Sequence, residues 1–583
     1  MGEEVKVKEE ETEKMEKLEK MENGGAPPSP TVKYYGWRAM PYIIGNETFE
    51  KLGTLGTSSN LLVYLTSVFH IKSVDAATLI NAFGGTTSFA PIIGAFLSDA
   101  YLGRYATLAY SSIASLVGMF ILTLTAAVSG LHPRDCKVGD TCQKATPGQM
   151  GVLFASFAFL VVGAGGIRPC SMPFGADQFN PNTEDGKRGI NSFFNWYYFT
   201  FTGAMMISAT VIIYIQSTLS WSIGLAIPAI LMFVACVFYF MGSKIYVKVL
   251  PEGSPFTSIV QVFVAATKKK GLKQPKDPNQ DLFDPPHVSS LVTKLHHTDQ
   301  FRFLDKAAIV TSSDEIKPNG FPVDPWKLCS IQQVEEVKCL LRIIPIWTTG
   351  IIYYLAVVQQ STYVILAALQ SDRHLGPHFQ IPAASFTVFS MLAQTLWIPF
   401  YDRLLVPRLR KLTGKEEPIS LLQRMGIGIL LSTVAMVVSA VVEVKRRSIA
   451  NHGSTIGTML GGGAISSMSS LWMVPQLMIL GVSEAFNLIS QIEFYYKEFP
   501  EHMRSVAGAL AFLNLAFGNY LSGFLVTIIH KTTGAEGRKN WLSQDLNKGR
   551  LDMFYLVIAG IGVFNLIYFI VCARWYRFKG ARQ

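Results

Sequence analysis

Glu47, Glu50 and Lys51 stand within five residues of one another, inside an apolar stretch from about Trp37 to Phe69. On a helix, positions three and four apart share a face, so the three charges point the same way. An uncompensated charge near a bilayer centre costs at least about 2.5–3.5 kcal/mol. That face must therefore meet protein or water. Two carboxylates beside one ammonium are suited to taking up and releasing protons. Arg168 poses the same problem in Gly163-Ala164-Gly165-Gly166-Ile167-Arg168-Pro169-Cys170, where glycine and proline loosen a helix and free its carbonyls. A guanidinium there needs an anion, either a carboxylate of the chain or an acidic solute. The other reading is an arginine at a helix end that reaches for the interface. Glu484, in Leu480-Gly481-Val482-Ser483-Glu484-Ala485-Phe486, has apolar flanks for more than two turns. It must stay protonated or pair with a cation. Arg168 is the expected partner, as a switchable pair that couples proton occupancy to opening or as a static one.

Further charged and aromatic residues join this set. Asp99 and Arg104 flank a tight turn after Gly94-Ala95-Phe96-Leu97-Ser98, where they are expected to pair as a latch between helices, with solute contact as the alternative. Glu335-Glu336-Val337-Lys338 reads as a surface face at the start of a later segment. That segment continues through Arg342 to Trp347, Tyr353 and Tyr354, whose rings either line a pocket or pack helices. There is no Walker A sequence, no GxSxG and no HExxH, which disfavours ATP-driven pumping and hydrolysis. The seven cysteines form no CxxC, so no zinc site is expected. Cys136 and Cys142 share one polar loop, either as a disulfide or as two free thiols. Asn46-Glu47-Thr48 matches a glycosylation acceptor, but its place inside an apolar segment makes the match accidental.

The elements that must hold these residues are membrane helices. Of 583 residues, 49% are hydrophobic and 16% charged, against an ordinary charged share of about 25%. Twelve apolar segments are long enough to span a bilayer, at about 37–69, 75–101, 106–129, 149–173, 190–215, 220–245, 333–365, 382–402, 419–443, 470–495, 503–529 and 552–575. The fold expected is an all-α polytopic membrane protein. Its parts are a charged tail (1–33), six segments (34–245), a polar linker with an amphipathic run near Phe301 to Ile309 (246–332), six more segments (333–579) and a short tail (580–583). Six plus six with a solute site between the halves is a common transporter plan. An even count puts both ends on one side, and the Lys/Arg bias of the loops makes that side cytoplasmic. Lys445, Arg446 and Arg447 run against the bias. The net charge of +10 sits beside apolar segments, which points to acidic lipid surfaces rather than nucleic acid.

Four motifs together carry a resemblance over about residues 34 to 579. They are Glu47-x-x-Glu50-Lys51, Gly94-Ala95-Phe96-Leu97-Ser98-Asp99, Gly166-Ile167-Arg168, and Glu484 in the tenth segment. With Gln300-Phe301-Arg302-Phe303-Leu304-Asp305-Lys306 and Asp545-Leu546-Asn547-Lys548-Gly549-Arg550, the chain resembles the plant nitrate and peptide transporter family. This is a branch of the proton-coupled oligopeptide transporters within the major facilitator superfamily. The resemblance implies two six-helix bundles, alternating access and symport driven by the proton gradient, without enzyme activity or cofactor. It assigns proton coupling to Glu47, Glu50, Lys51 and Glu484, and substrate contact to Arg168 and Glu484. Arg cannot easily lose its proton, so Arg168 is expected to be a fixed charge. Trp347, Tyr353, Tyr354 and Val357 are the expected cavity wall. Val357 stands where the family's nitrate transporter has a histidine, which counts against nitrate by that route. Ser192-Phe193-Phe194-Asn195-Trp196-Tyr197-Tyr198 and the first-segment motif look like the subgroup containing glucosinolate transporters. The expected cargo is therefore a bulky glycosylated or anionic plant metabolite. A low-affinity nitrate transporter is the alternative, followed by a peptide or hormone transporter or a non-transporting receptor. Thr107 matches a family phosphorylation site, read here as a kinase target or as an unmodified helix-start Thr. A monomer is expected, with a dimer open, and the family default is the plasma membrane, with the vacuolar membrane open.

Overall fold

The computed structural model describes residues 34–134, 143–180, 183–248, 255–274, 282–285, 295, 297–312, 314–317, 322–414, 418–453, 455–459, 463–499, 504–534 and 540–576. The tail 1–33, Cys136, Cys142 and the tail 580–583 lie outside the described residues. The first half holds α1 (Met40–Ser58), α2 (Leu61–Ser67), α3 (Ser73–Leu97), α4 (Gly103–Ala127), α5 (Pro147–Ala176), α6 (Glu184–Ile207), α7 (Ile213–Thr218) and α8 (Trp221–Met241). The linker contributes α9 (Pro255–Lys268). The second half holds α10 (Ile331–Leu369), α11 (Thr387–Phe400), α12 (Val406–Thr413), α13 (Leu421–His452), α14 (Val474–Glu498), α15 (Arg504–Thr533) and α16 (Leu551–Trp575).

Among the described residues, ten helical runs are long and apolar enough to cross a membrane by length and composition. One of them, Ser73–Ala127, has 55 residues, about 80 Å of helix against a hydrocarbon core of about 30 Å. It folds back at Gly103, whose φ of 74° suits glycine alone, and so crosses twice, as α3 and α4. The α1–α2 pair is not among the ten because it carries three charges, yet it packs along α6 and α8 as a crossing helix. The result is twelve crossings in two bundles. In the first, α4 packs on α5 and α8, α3 on α5, and α1 on α6 and α8. In the second, α13 packs on α14 and α16, α10 on α15 and α16, and α11 on α14.

Lipid tails are as apolar as leucine, so close packing and internal polar contacts hold these helices together. Pro228 has no N–H for the carbonyl of Gly224, four residues back in α8. Gln216 Nε2 donates to that carbonyl at 3.1 Å and to the carbonyl of Gly56 at 2.9 Å, tying α7, α8 and α1. Pro169 likewise frees the carbonyl of Gly165. The α3 backbone at Gly94 lies so close to this carbonyl that a Cβ there would overlap it.

With an even number of crossings, both ends of the described chain lie on one face. The two bundles meet in the half of the membrane away from that face. Asn81 Nδ2 in α3 donates to Ser522 Oγ in α15 at 3.0 Å, and the Thr86 and Tyr520 hydroxyls are 3.0 Å apart. The Tyr214 ring stacks on Phe379 with centroids 6.0 Å apart. A small sheet adds to this side: β1 (Ser371–Asp372) pairs in parallel with β3 (Ala464–Ser469), and β2 (Thr455–Thr458) pairs antiparallel with β3. Lys445 to Arg447 are not loop charges, because α13 runs on to His452. Arg446, fully buried, bonds both Glu443 oxygens at 2.7 Å and Asn547 at 2.9 Å. Arg447 bonds Asp552 at 3.0 Å.

The linker folds back on α10. In it, the expected amphipathic run is a 3-10 turn, Arg302–Ala308, and α9 lies beside it. Val262, Ala265, Leu304 and Ala307 are buried against Val334 and Val337, each larger side chain worth about 1.5–3 kcal/mol in water. The face expected at the surface is covered by this fold. Lys338 Nζ is 2.7 Å from Asp305 and 2.8 Å from Glu335, and the Thr298 hydroxyl donates to Glu335 at 2.7 Å. Lys269 bonds Asp314 at 2.8 Å.

Burial would raise the Asp314 pKa, but hydrogen bonds from Lys269 and Thr311 hold the carboxyl below its usual range. A lowered folded pKa gives stability that is complete above the ordinary carboxylate pKa and is lost as pH falls through the lowered one. Asp314→Asn should therefore speed limited proteolysis of the linker several-fold at neutral pH, with the difference gone in acid. Equal digestion at neutral pH would show that the clamp is idle. Gly94→Val should force α3 from α5 and lower the melting temperature in detergent, as overpacking by about 1–3 kcal/mol does. An unchanged melting temperature would refute the close contact.

Candidate functional site

α1 begins with Pro41 in its first turn, where the missing N–H costs nothing. It carries Glu47, Glu50 and Lys51 on its buried face. The two carboxylates are each 2% exposed and Lys51 is 8% exposed. Lys51 Nζ donates to Glu50 Oε2 at 2.6 Å and lies 3.8 Å from Glu47 Oε2. Ser171 of α5 and Tyr197 of α6 stand beside Glu47, and Tyr197 is also near Lys51.

Arg168 lies well inside α5, eight residues from its end at Ala176, and is not a helix-end arginine. Its Nη1 donates to the carbonyl of Thr87 at 3.2 Å. The carbonyl is free because Pro91, four residues on in α3, has no N–H to give it. Glu50 is the carboxylate whose charge acts on Arg168. Arg168 is nonetheless exposed to solvent, so it borders open space inside the protein. Glu50 is thus bonded to one cation and acts on a second, and Glu47, Glu50, Lys51 and Arg168 balance in charge.

Glu484 sits in α14 of the other bundle, half-buried, with no ion-pair partner among the described residues. Tyr353 and Tyr354 of α10 are beside it. The Tyr353 hydroxyl is 3.1 Å from Ser483 Oγ, which in turn donates to the carbonyl of Gly428 at 2.7 Å. The expected Arg168–Glu484 pair is not formed. Each group is held by its own bundle, and among the described residues hydrogen bonds join the bundles elsewhere, at Asn81–Ser522 and Thr86–Tyr520.

The remaining expected residues fall into place differently. Trp347 Nε1 donates to the carbonyl of Leu510 at 2.9 Å, and its ring packs edge-on to Phe517, so it joins α10 to α15. Val357 is buried, one turn along α10 from Tyr354. Arg104 pairs with Asp177, not with Asp99: Nη1 is 2.6 Å from each Asp177 oxygen. Asp177 follows α5 and is 73 residues away in sequence, so spacing could not reveal it. Thr107 is buried, donates to the carbonyl of Gly103 at 2.9 Å and packs near Gly166. A kinase would reach it only if α4 left α5. Sequence reasoning missed Thr87, Ser171 and Gln359. Ser171 is three residues beyond Arg168, on the same helix face. Gln359 donates to Ser522 Oγ at 2.6 Å and braces the contact with Asn81.

The POT family model, PTR2, matches residues 105–542. Protein NRT1/ PTR FAMILY 2.11 of Arabidopsis thaliana is 54% identical over 555 residues, covering 94% of this chain and 90% of that protein. Protein NRT1/ PTR FAMILY 2.9 of the same plant is 53% identical over 549 residues, covering 94% and 93%. Among solved structures, an auto inhibited POT family peptide transporter matches with a TM-score of 0.68 at 19% identity, covering 94% of this chain and 99% of that one. The POT family transporter PepTSo matches with a TM-score of 0.67 at 19% identity, covering 92% and 98%. These two show the same helical transporter fold. On its sequence, the chain belongs to the POT family of membrane transporters, among the plant NRT1/PTR proteins.

Proposed function

We propose that the chain is a proton-coupled symporter of a bulky anionic or glycosylated plant metabolite, of the glucosinolate kind, that works by alternating access without a cofactor. One observation carries this reading: Glu50 is bonded to Lys51 and its charge acts on Arg168, while Glu484, a carboxylate with no ion-pair partner among the described residues, stands in the opposite bundle. With all five groups ionised, the site has one net negative charge. An anionic solute adds to that charge, and uncompensated charge inside a membrane is costly. Protons on Glu50 and Glu484 remove the conflict. Protonation of Glu50 also removes the negative charge that acts on Arg168, which stays charged and is left to hold the anion. Proton and anion then favour each other's binding by the same factor. Tyr354 offers ring surface beside Glu484 for the body of a larger solute. On α10 the position one turn from Tyr354 is the apolar Val357 rather than a basic group, which favours the larger solute over nitrate.

In this reading both chain ends are cytoplasmic, the membrane is the plasma membrane, and the closed half of the bundle contact faces outside. Substrate and protons are the partners, the protein works as a monomer, and Thr107 is a kinase target only in a state that opens α4 from α5.

In oocytes, uptake of a glucosinolate should rise as external pH falls. Glu50→Gln should reduce uptake to background with surface protein unchanged, and undiminished, pH-independent uptake by that variant would overturn the coupling. Nitrate carried in preference to a panel of glycosides would overturn the substrate class. Pro91→Ala returns an N–H to the Thr87 carbonyl and so competes with Arg168. The KM for the anion should rise about tenfold, the scale of one charged hydrogen bond of roughly 1.5 kcal/mol. An unchanged KM would show that Thr87 does not position Arg168.

A further inference from the structure

A groove of about 400 Å³ lies on the seam between the bundles, away from the charge cluster. One wall comes from the first bundle, at Val211 and Tyr214. The other comes from the second, at Phe379, Ile381, Val388 and Phe389. Its size is ordinary for a small-molecule site, about 300–1,000 Å³. Apart from the hydroxyls of Thr210, Tyr214 and Ser385 its side-chain wall is hydrocarbon. The Thr210 hydroxyl is used within its own helix, by the carbonyl of Met206 at 2.6 Å. Ser385 is 9% exposed, and its Oγ has no hydrogen-bond partner among the described residues. A buried hydroxyl left without a partner costs about 1–3 kcal/mol.

Arg373 stands at the rim. It is bound to the groove wall twice: Nη1 donates to the carbonyl of Ile381 at 3.2 Å, and Ile381 N donates to the carbonyl of Arg373 at 2.9 Å. Its Nε is buried without a partner among the described residues. Among the described residues no carboxylate pairs with it. The neighbouring Asp372 is taken by His374, whose backbone N–H and ring nitrogen lie 3.0 and 2.6 Å from one carboxylate oxygen. Burial without a counter-charge lowers the Arg373 pKa. Apolar walls, a spare hydroxyl and a guanidinium lacking its anion describe an amphiphile with one anionic head.

We propose that this groove binds one phospholipid, with an acyl chain along the apolar walls, an ester carbonyl at the Ser385 hydroxyl and the headgroup phosphate at Arg373. The site exists only while Tyr214 and Phe379 are stacked, because its walls belong to different bundles. A bound lipid therefore favours the state in which this half is closed. The inference stands apart from the transport reading, since lipid retention requires neither substrate nor protons.

The test is native mass spectrometry of the full-length protein, stripped in detergent and titrated with dioleoyl phosphatidylglycerol, diolein or glycerol phosphate. The wild type should hold one phosphatidylglycerol, hold diolein less tightly and leave glycerol phosphate unbound. Arg373→Gln should weaken phosphatidylglycerol by about tenfold, as loss of a charge-assisted contact does, and leave diolein unchanged. Val388→Trp fills the groove without touching the charge and should abolish retention, which keeps the test open if Arg373→Gln does not fold. Phosphatidylglycerol held as tightly by either variant as by the wild type would overturn the proposal. So would diolein bound as tightly as phosphatidylglycerol, which removes the phosphate contact, or glycerol phosphate bound as tightly, which makes the site one for free phosphate.

Discussion

The Lys51 ammonium, 2.6 Å from Glu50 and almost out of reach of solvent, expresses the constraint that shapes the whole molecule. Inside a membrane, a polar group finds its partner in the protein or not at all. Charged side chains obey this through the balance of Glu47, Glu50, Lys51 and Arg168. Backbone groups obey it too. Pro91 and Pro228 each strip a carbonyl of its own helical partner, and in each case a side chain from another helix takes the place: Arg168 at Thr87 and Gln216 at Gly224. The prolines thus work as joints. Each creates a demand that only one neighbouring helix meets, so it fixes which helices touch and at what height.

The closed side of the bundle contact uses a different chemistry. Asn81–Ser522, Thr86–Tyr520 and the Tyr214–Phe379 stack are all uncharged. A neutral hydrogen bond is worth about 1 kcal/mol net. A few of them make a closure that a ligand can reverse, since swinging a two-state balance from 1:99 to 99:1 takes about 5.5 kcal/mol. Buried ion pairs between the bundles would cost far more to part. Among the described residues the ion pairs instead lie within each half, where Arg446–Glu443 and Lys338–Asp305 keep a bundle and its linker whole.

Glu47, Glu50 and Lys51 were legible in the sequence because a charge in an apolar run has few explanations. The twelve crossings were legible for the same reason in reverse, as runs too apolar for anything else. Partners were harder. Pro91 announces that the Thr87 carbonyl is free, but which donor fills it depends on how α5 lies against α3. Arg104 looked bound to the nearby Asp99, yet Asp177 reaches it through the fold. Glu335 and Lys338 looked like surface because their cover, Thr298 and Asp305, comes from the linker. Periodicity records the face of one helix. It is silent on what another part of the chain lays over that face.

The linker's position bears on how the parts move. It is fastened to the start of α10 through Asp305, Glu335 and Lys338. α10 has 39 residues, about 58 Å of helix. It passes from that clamp to Trp347 against α15, then to Tyr353 and Tyr354 beside Glu484, and then to Gln359 at the Ser522 contact. One helix therefore touches the linker, the candidate site and the closed seam in turn. Its interior proline, Pro345, lies between the clamp and the site, so the stretch from Tyr353 to Gln359 is unbroken. This stretch carries Tyr354, beside Glu484, and Gln359, which shares Ser522 with Asn81 of the other bundle. One short run of helix thus places the candidate site and the closed seam on the same rigid element.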